Sequence, residues 1–413
     1  MARRAMTMAL ALALGVGVSS AALAQDALER MRNLQLGDGE FTFVEQSGEY
    51  ADQIRQNLEQ VKMPPGFEIE LFAVVPDARH MAVGKNVGTV FVGTRKEDVW
   101  AITDRNKDRR ADEVKNMAPA IDFKIPNGMC MSPDGFLYVM EVNRLLVFPA
   151  AEFFYENPDV AVDVVKESFI PTERESFNHG ARVCTIGPDN KIYIAFGQPF
   201  NVPPVDDWPL GVLGTIQRMN RDGTGLEAYA EGVRNSVGIA FRPGTSELWF
   251  TDNQVDGMGD DIPPGEINRA PQAGLNFGFP YYGGGKVRTV EWEKEEPPAD
   301  VVFPVVETVA HAADLGATFY TGKMFPSQYQ GALFSAQHGS WNRTTPVGAR
   351  VMVTFLDDEG NVTESKPFAE GWLVEESGEY LGRPVDVQQY LDGSLLVSDD
   401  LAGAVYRISY EGN

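Results

Sequence analysis

Apolar residues in this chain come in short runs of strand length, and each run follows a turn. Ser132-Pro133-Asp134-Gly135 leads into Phe136-Leu137-Tyr138-Val139. Gly187-Pro188-Asp189-Asn190 leads into Ile192-Tyr193-Ile194-Ala195. Arg242-Pro243-Gly244-Thr245 leads into Leu248-Trp249-Phe250, and Tyr390-Leu391-Asp392-Gly393 into Ser394-Leu395-Leu396-Val397. Two weaker copies are Gly84 to Gly88 before Val90-Phe91-Val92, and Pro326 to Gln330 before Ala332-Leu333-Phe334. In the Asp-Gly and Asp-Asn turns these residues supply the positive-φ positions of a hairpin, and the flanking residues are strand formers. The copies start about 48, 55, 55, 84 and 64 residues apart. That is a little longer than a four-stranded propeller blade with short loops. The pattern predicts an all-β chain, a six-bladed β-propeller over 63–413. Residues 25–62 read as an N-terminal extension, with short helices or an irregular arm at Ala27 to Leu34 and Tyr50 to Val61. Tyr281 to Pro304, rich in Gly, Pro and charge, reads as a long surface loop.

Composition narrows the function classes. The chain has 413 residues, of which Gly (41) and Pro (26) are the punctuation of many turns. It carries 35 Lys+Arg against 59 Asp+Glu, a net charge of −24. Nucleic acid and anionic membrane surfaces need a basic face and are excluded as partners on this ground. Arg3 and Arg4 followed by the small apolar run Ala5 to Ala24, closing on Ala22-Leu23-Ala24, read as a cleavable signal peptide over 1–24. Export of this kind points to the periplasm, and no other stretch is long and apolar enough to span a membrane. Cys130 and Cys184 are the only cysteines, and each lies shortly before a Pro-Asp turn. Either a disulfide or two buried thiols fits that placement. No haem-attachment or zinc spacing is present.

The chemistry falls outside the repeat, in the loops. Of four histidines, His80, His179 and His338 lie close to a repeated strand, with His311 farther off. Arg234-Asn235 stands just before an apolar run and presents a guanidinium fork and an amide. Arg343 and Arg383 enter from other repeats. Several arginines aimed at one mouth of an acidic protein would bind an anion. Thr251 to Asp261 holds Asp252, Asn253, Asp256, Asp260 and Asp261, a density of oxygen ligands that suits Ca²⁺. A solvated acidic loop, separate surface ion pairs and separate loop histidines are the plainer alternatives.

Taken in order, His179-Gly180-Ala181-Arg182-Val183, Gly197-Gln198, Gly232-Val233-Arg234-Asn235, Gly265-Glu266-Ile267-Asn268 and Gly274 to Pro280 resemble the soluble pyrroloquinoline quinone (PQQ)-dependent sugar dehydrogenases. His338-Gly339-Ser340-Trp341-Asn342-Arg343 and Gly382-Arg383-Pro384 resemble the sorbosone (glucose/sorbosone) dehydrogenase branch. The resemblance covers most of 63–410 and implies a six-bladed propeller with PQQ and Ca²⁺ as cofactors. It implies His179 as general base and Arg234 as the group stabilising developing negative charge. Asn235, Arg383, Arg343 and Trp341 would hold the cofactor, and Gln198 and His338 would face the substrate. The substrate would be a sugar, sugar aldehyde or polyol, with electrons leaving to an external acceptor such as a cytochrome or quinone. A gluconolactonase-type hydrolase and a non-catalytic binding propeller are the alternatives. The family's glucose-oxidising members hold calcium with a Gln-Gly-Pro run, where this chain reads Asp252-Asn253-Gln254-Val255-Asp256-Gly257.

Overall fold

Every one of the six turn signals lies between the first and second strands of a separate four-stranded antiparallel sheet. The computed structural model describes residues 39–158 and 160–412, which belong to one unit, Leu36–Asn413. The signal peptide over 1–24 and the helix expected at Ala27 to Leu34 lie outside the described residues. Blade 1 is Met81–Val83, Val90–Val92, Trp100–Thr103 and Glu113–Asn116. Blade 2 is Gly128–Met131, Leu137–Met140, Arg144–Phe148 and Asp163–Glu167. Blade 3 is Val183–Ile186, Ile192–Phe196, Thr215–Met219 and Glu227–Glu231, and Leu275–Asn276 adds a short parallel fifth strand. Blade 4 is Gly238–Phe241, Leu248–Asp252, Gly265–Ala270 and Val306–Thr308. Blade 5 is Asp314–Phe319, Leu333–Gln337, Arg350–Leu356 and Val362–Glu370.

Blade 6 joins the two ends of the described chain. Pro384–Gln389, Leu395–Asp399 and Ala404–Tyr410 are completed on the outside by Phe67–Val74, which pairs antiparallel with Ala404–Tyr410. The first strand of each blade touches those of its two neighbours, so six first strands form a closed ring. Closure packs every blade against two neighbours and leaves only the short outer edge of each sheet.

The core lies between blades. Phe67, Phe325, Tyr329, Phe334 and Phe368 form an edge-to-face cluster where blades 5 and 6 meet. A helix, α1 (Glu49–Leu58), packs on this core through Ala51, Ile54 and Leu58, the helical spacing of one apolar face. Tyr281 to Pro304 carries no strand, as its composition predicts, yet it is not a free surface loop. Trp292 is buried against Trp208 and Tyr281 and donates its indole N–H to the Pro203 carbonyl at 2.9 Å. Cys130 and Cys184, on the first strands of blades 2 and 3, are joined as a disulfide with Cα atoms 5.7 Å apart.

Candidate active site

In an antiparallel blade, the start of the first strand and the end of the second lie at the same end. Loops from those positions in different blades surround a cavity of about 590 Å³. Of the residues singled out from sequence, His179, Arg234, Asn235, Asn253, Asp256, His338, Trp341 and Arg383 line it. The lining also includes Arg79, Arg95, Asn201, Gln254, His311 and Asn342, which sequence reasoning had not assigned to a site. Arg79 had a usable signal: it enters the first strand of blade 1 as Arg234 and Arg383 enter theirs.

His179 hangs between two loops. Its Nδ1–H donates to the Gln198 carbonyl at 2.5 Å, so the neutral ring carries its lone pair on Nε2. Burial, and then the positive charge of Arg234, push its pKa down to about 3. The loop it meets approaches closely: a Cβ on Gly197 would lie 2.2 Å from the Asn235 side-chain oxygen and 3.0 Å from the His179 carbonyl. Glycine is required there by space.

Arg234 is 2% exposed and held from three sides. It donates to the Asn201 carbonyl (3.0 Å), the Asn253 carbonyl (3.0 Å) and the Asn201 side chain (2.8 Å), and pairs with Asp256 at 3.2 Å. Beneath it, Asp252 ends the second strand of blade 4 and accepts the main-chain N–H groups of Arg234 (2.9 Å) and Asn235 (2.6 Å). Arg79 pairs with Asp400 at 2.6 Å and bonds Asn127 at 2.9 Å. Arg383 donates to the main-chain carbonyls of His338 (3.0 Å), Gly339 and Ser340. Arg95 donates to the Phe177 carbonyl at 2.8 Å and lies 4.3 Å over the Phe177 ring, and its Nε is buried without a partner. Among the described residues, Arg95 and Arg383 make no ion pair, so the cavity wall carries net positive charge. These donors, in an acidic protein, fit a planar polycarboxylate.

The remaining predicted residues fall elsewhere. Gln198 is fully buried, and its side-chain amide turns back onto Phe200, accepting the Phe200 N–H at 2.8 Å and donating to the Phe200 carbonyl. Only its carbonyl reaches the site, through His179. Arg343 does not line the cavity: it is used up on the carbonyls of Asp260, Ala310 and Thr345 and on Asp261. The proposed calcium ligands do not converge. Both carboxylate oxygens of Asp252 serve main-chain N–H groups, and Asp256 is shared by Arg234 and Asn342. The Asn253 side chain is turned by its N–H groups onto the carbonyls of Asn235 and Asp314, away from the exposed Asp261 of the loop. Asp260 caps the Thr344 N–H, and Asp261 is 93% exposed. Among the described residues no three acidic, His or Cys groups meet in a cation site. The acidic run is instead a scaffold for Arg234 and its loop.

The other histidines separate by role. His80 is a satisfied core residue, bonded to the Val237 carbonyl at 2.7 Å and the Asn127 amide at 3.0 Å. His338 bonds Asp400 at 2.8 Å, and His311 bonds the Gly259 carbonyl at 2.8 Å. Trp341 stands on the cavity rim, 75% exposed.

Behind the cavity wall, Asp252 and Glu266 face each other across blade 4, both buried. Burial, reinforced by the Asp252 charge, pushes the Glu266 pKa up to about 8. Each acid accepts two N–H groups, Asp252 from Arg234 and Asn235 and Glu266 from Asn268 (2.9 Å) and Gly285 (2.7 Å), but Glu266 is pushed further up by the Asp252 charge and is the member that holds the proton. A group with a raised folded-state pKa contributes stability below its unfolded pKa and loses it as pH rises through the folded one. Glu266→Gln, which cannot ionise, is therefore expected to lose less melting temperature than wild type between pH 5 and pH 8, whatever its offset at pH 5. The same change with pH in both proteins would show that Glu266 does not carry this proton.

A six-bladed propeller with a cationic cavity and a neutral, half-buried imidazole at one end defines a class of small-molecule site. The glucose/sorbosone dehydrogenase family model matches residues 161–407, and the chain belongs to that family of sugar oxidoreductases. An uncharacterised protein of Borreliella burgdorferi is 30% identical over 372 residues, covering 87% of this chain and 93% of that protein. The holo PQQ domain of pyranose dehydrogenase from Coprinopsis cinerea superposes with a TM-score of 0.67 at 18% identity, covering 85% of this chain and 97% of the other. The PQQ-bound aldose sugar dehydrogenase of Streptomyces coelicolor superposes with a TM-score of 0.57 at 18% identity, covering 85% and 100%. Among the described residues, no helix is long and apolar enough to cross a membrane.

Proposed function

We propose that this protein is a periplasmic, PQQ-dependent dehydrogenase that oxidises a hydroxyl of a sugar, sugar aldehyde or polyol. The observation that carries the reading is the pairing of four cavity arginines with a neutral imidazole in a chain of net charge −24. Arg79, Arg95 and Arg383 would hold the carboxylates of PQQ, and Arg234 with Asn235 would face its reactive carbonyl. When bound, PQQ supplies a quinone that accepts a hydride from a carbon. His179 Nε2 takes the hydroxyl proton as that hydride leaves. Arg234, already fixed by Asp252 and Asn201, would stabilise the negative charge that develops on a bound quinone. Trp341 offers an apolar face at the rim. An anion among the arginines offsets the field of Arg234 and moves His179 back toward its ordinary basicity. An external acceptor would take up the two electrons. Export by the segment over 1–24 would place the reaction in the periplasm.

Purified protein mixed with PQQ should take up the cofactor and reduce an artificial electron acceptor with one or more aldoses or polyols. Calcium should not be required through the acidic loop: Asp260→Ala with Asp261→Ala should leave dye reduction unchanged. Absence of both cofactor uptake and dye reduction across the substrate panel would overturn the reading.

A further inference from the structure

Directly beneath His179 lies a guanidinium that neither the cavity nor the reaction has so far used. Arg182 is fully buried, at the entry to the first strand of blade 3. Its Nη1 donates to the His179 carbonyl and to the Gly197 carbonyl, both at 2.8 Å, and its Nε to the Val142 carbonyl at 3.2 Å. The group lies 5.2 Å from the centre of the Phe196 ring, and its Nη2 is buried with no partner. Among the described residues it makes no ion pair within 4 Å. A buried cation bonded only to neutral carbonyls is expensive, and an apolar side chain of similar volume would pack there at less cost.

The three carbonyls explain the cost. They belong to the loop after the second strand of blade 2, the loop carrying His179, and the loop leaving the second strand of blade 3. The residue after Gly197 is Gln198, whose carbonyl receives the His179 Nδ1–H. Arg182 thus pins the backbone from which the imidazole hangs and the backbone to which it is tied. We propose that Arg182 is the positioning residue of His179, locking the imidazole in the Nδ1–H form with Nε2 facing the cavity. Its charge adds to those of Arg234 and Arg95 against protonation of the ring, with Glu175 as the acid facing Arg182 itself.

The inference deepens the reading of His179 as base and rests on it for its catalytic consequence, but its structural half can be read without turnover. The chain has only four histidines, so ¹⁵N-labelled imidazoles give a resolvable spectrum, and His179→Gln assigns one of them. In wild type, His179 should show a protonated Nδ1 and a bare Nε2 between pH 5 and pH 8. In Arg182→Met the ring should become a tautomer mixture and its pKa should rise. In Arg182→Lys the charge persists but the two-carbonyl fork is lost, so the ring should stay neutral with mixed tautomers. In both variants kcat should fall about 10²-fold, the scale of a misplacement of about 1 Å, with KM changed far less. If Arg182→Met does not fold, Arg182→Lys carries the test. Unchanged His179 tautomer and unchanged kcat would overturn the proposal. If the ring responds to Arg182 but His179→Gln keeps full kcat, the positioning stands and the base assignment falls.

Discussion

A His179→Ala protein is expected to bind PQQ within a few-fold of wild type and to turn over about 10²–10⁴-fold more slowly, the usual worth of a positioned general base. The separation follows from where the groups sit. The donors suited to the cofactor's carboxylates are Arg79, Arg95 and Arg383, and none of them hydrogen-bonds the His179 ring. The imidazole's one bond is to the Gln198 carbonyl, so its removal leaves the arginines in place. Cofactor uptake measured by absorbance or calorimetry, beside dye-linked kcat, checks both halves. Full turnover in the variant would refute the base assignment. Loss of uptake would show that the imidazole belongs to the cofactor site instead. Added imidazole, small enough for the vacated space, should restore part of the rate and should do so more effectively as pH rises toward 8, where more of it is unprotonated.

Changing Cys130 and Cys184 together to serine is expected to give the largest loss of stability. The bond closes a segment of 54 residues, and the loop-entropy relation gives about 4 kcal/mol for that length. For a propeller of this size that corresponds to a drop of about 5 °C in Tm. The effect should be concentrated where blades 2 and 3 meet, because both cysteines lie on first strands whose side chains fill that seam, with Tyr138, Met140, Ile192 and Ile194. Calorimetry of the double variant, and of wild type under reducing conditions, should give the same lowered transition. An unchanged Tm in both would show that the seam is held by packing alone. The blade seam also lies close to Arg182, whose carbonyl receives the Asn127 amide at 2.8 Å, so hydrogen exchange at Arg182 and Val183 should rise in the variant.

The fold was legible because its signal is local. A turn such as Ser132 to Gly135 needs only its own residues to bend the chain, and six such turns mark six first hairpins. Part of the site was legible for the same reason: His179, Arg234 and Arg383 stand in loops next to those hairpins. What was hidden depends on partners distant in sequence. Asp252 reads as a metal ligand until its two oxygens are seen to be filled by the N–H groups of Arg234 and Asn235. Arg343 reads as a cofactor clamp until its donors are seen to be spent on Asp260, Ala310 and Thr345. Arg95 carried no motif, and only the closed ring brings it into the same cavity as Arg383. The disulfide was open for a similar reason, since only neighbouring blades place Cys130 against Cys184.

The strand Phe67–Val74 has its hydrogen-bonding partner, Ala404–Tyr410, at the opposite end of the chain. Wherever the chain folds, the early strand cannot pair until about 330 further residues have been delivered. Until then blade 6 does not exist, and blades 1 and 5 each show a bare flank. A chain cut short before Ala404 is therefore an open arc with an unpaired strand at its start, a template for self-association. Residues 404–410 decide whether the earlier blades become a ring or a sticky fragment.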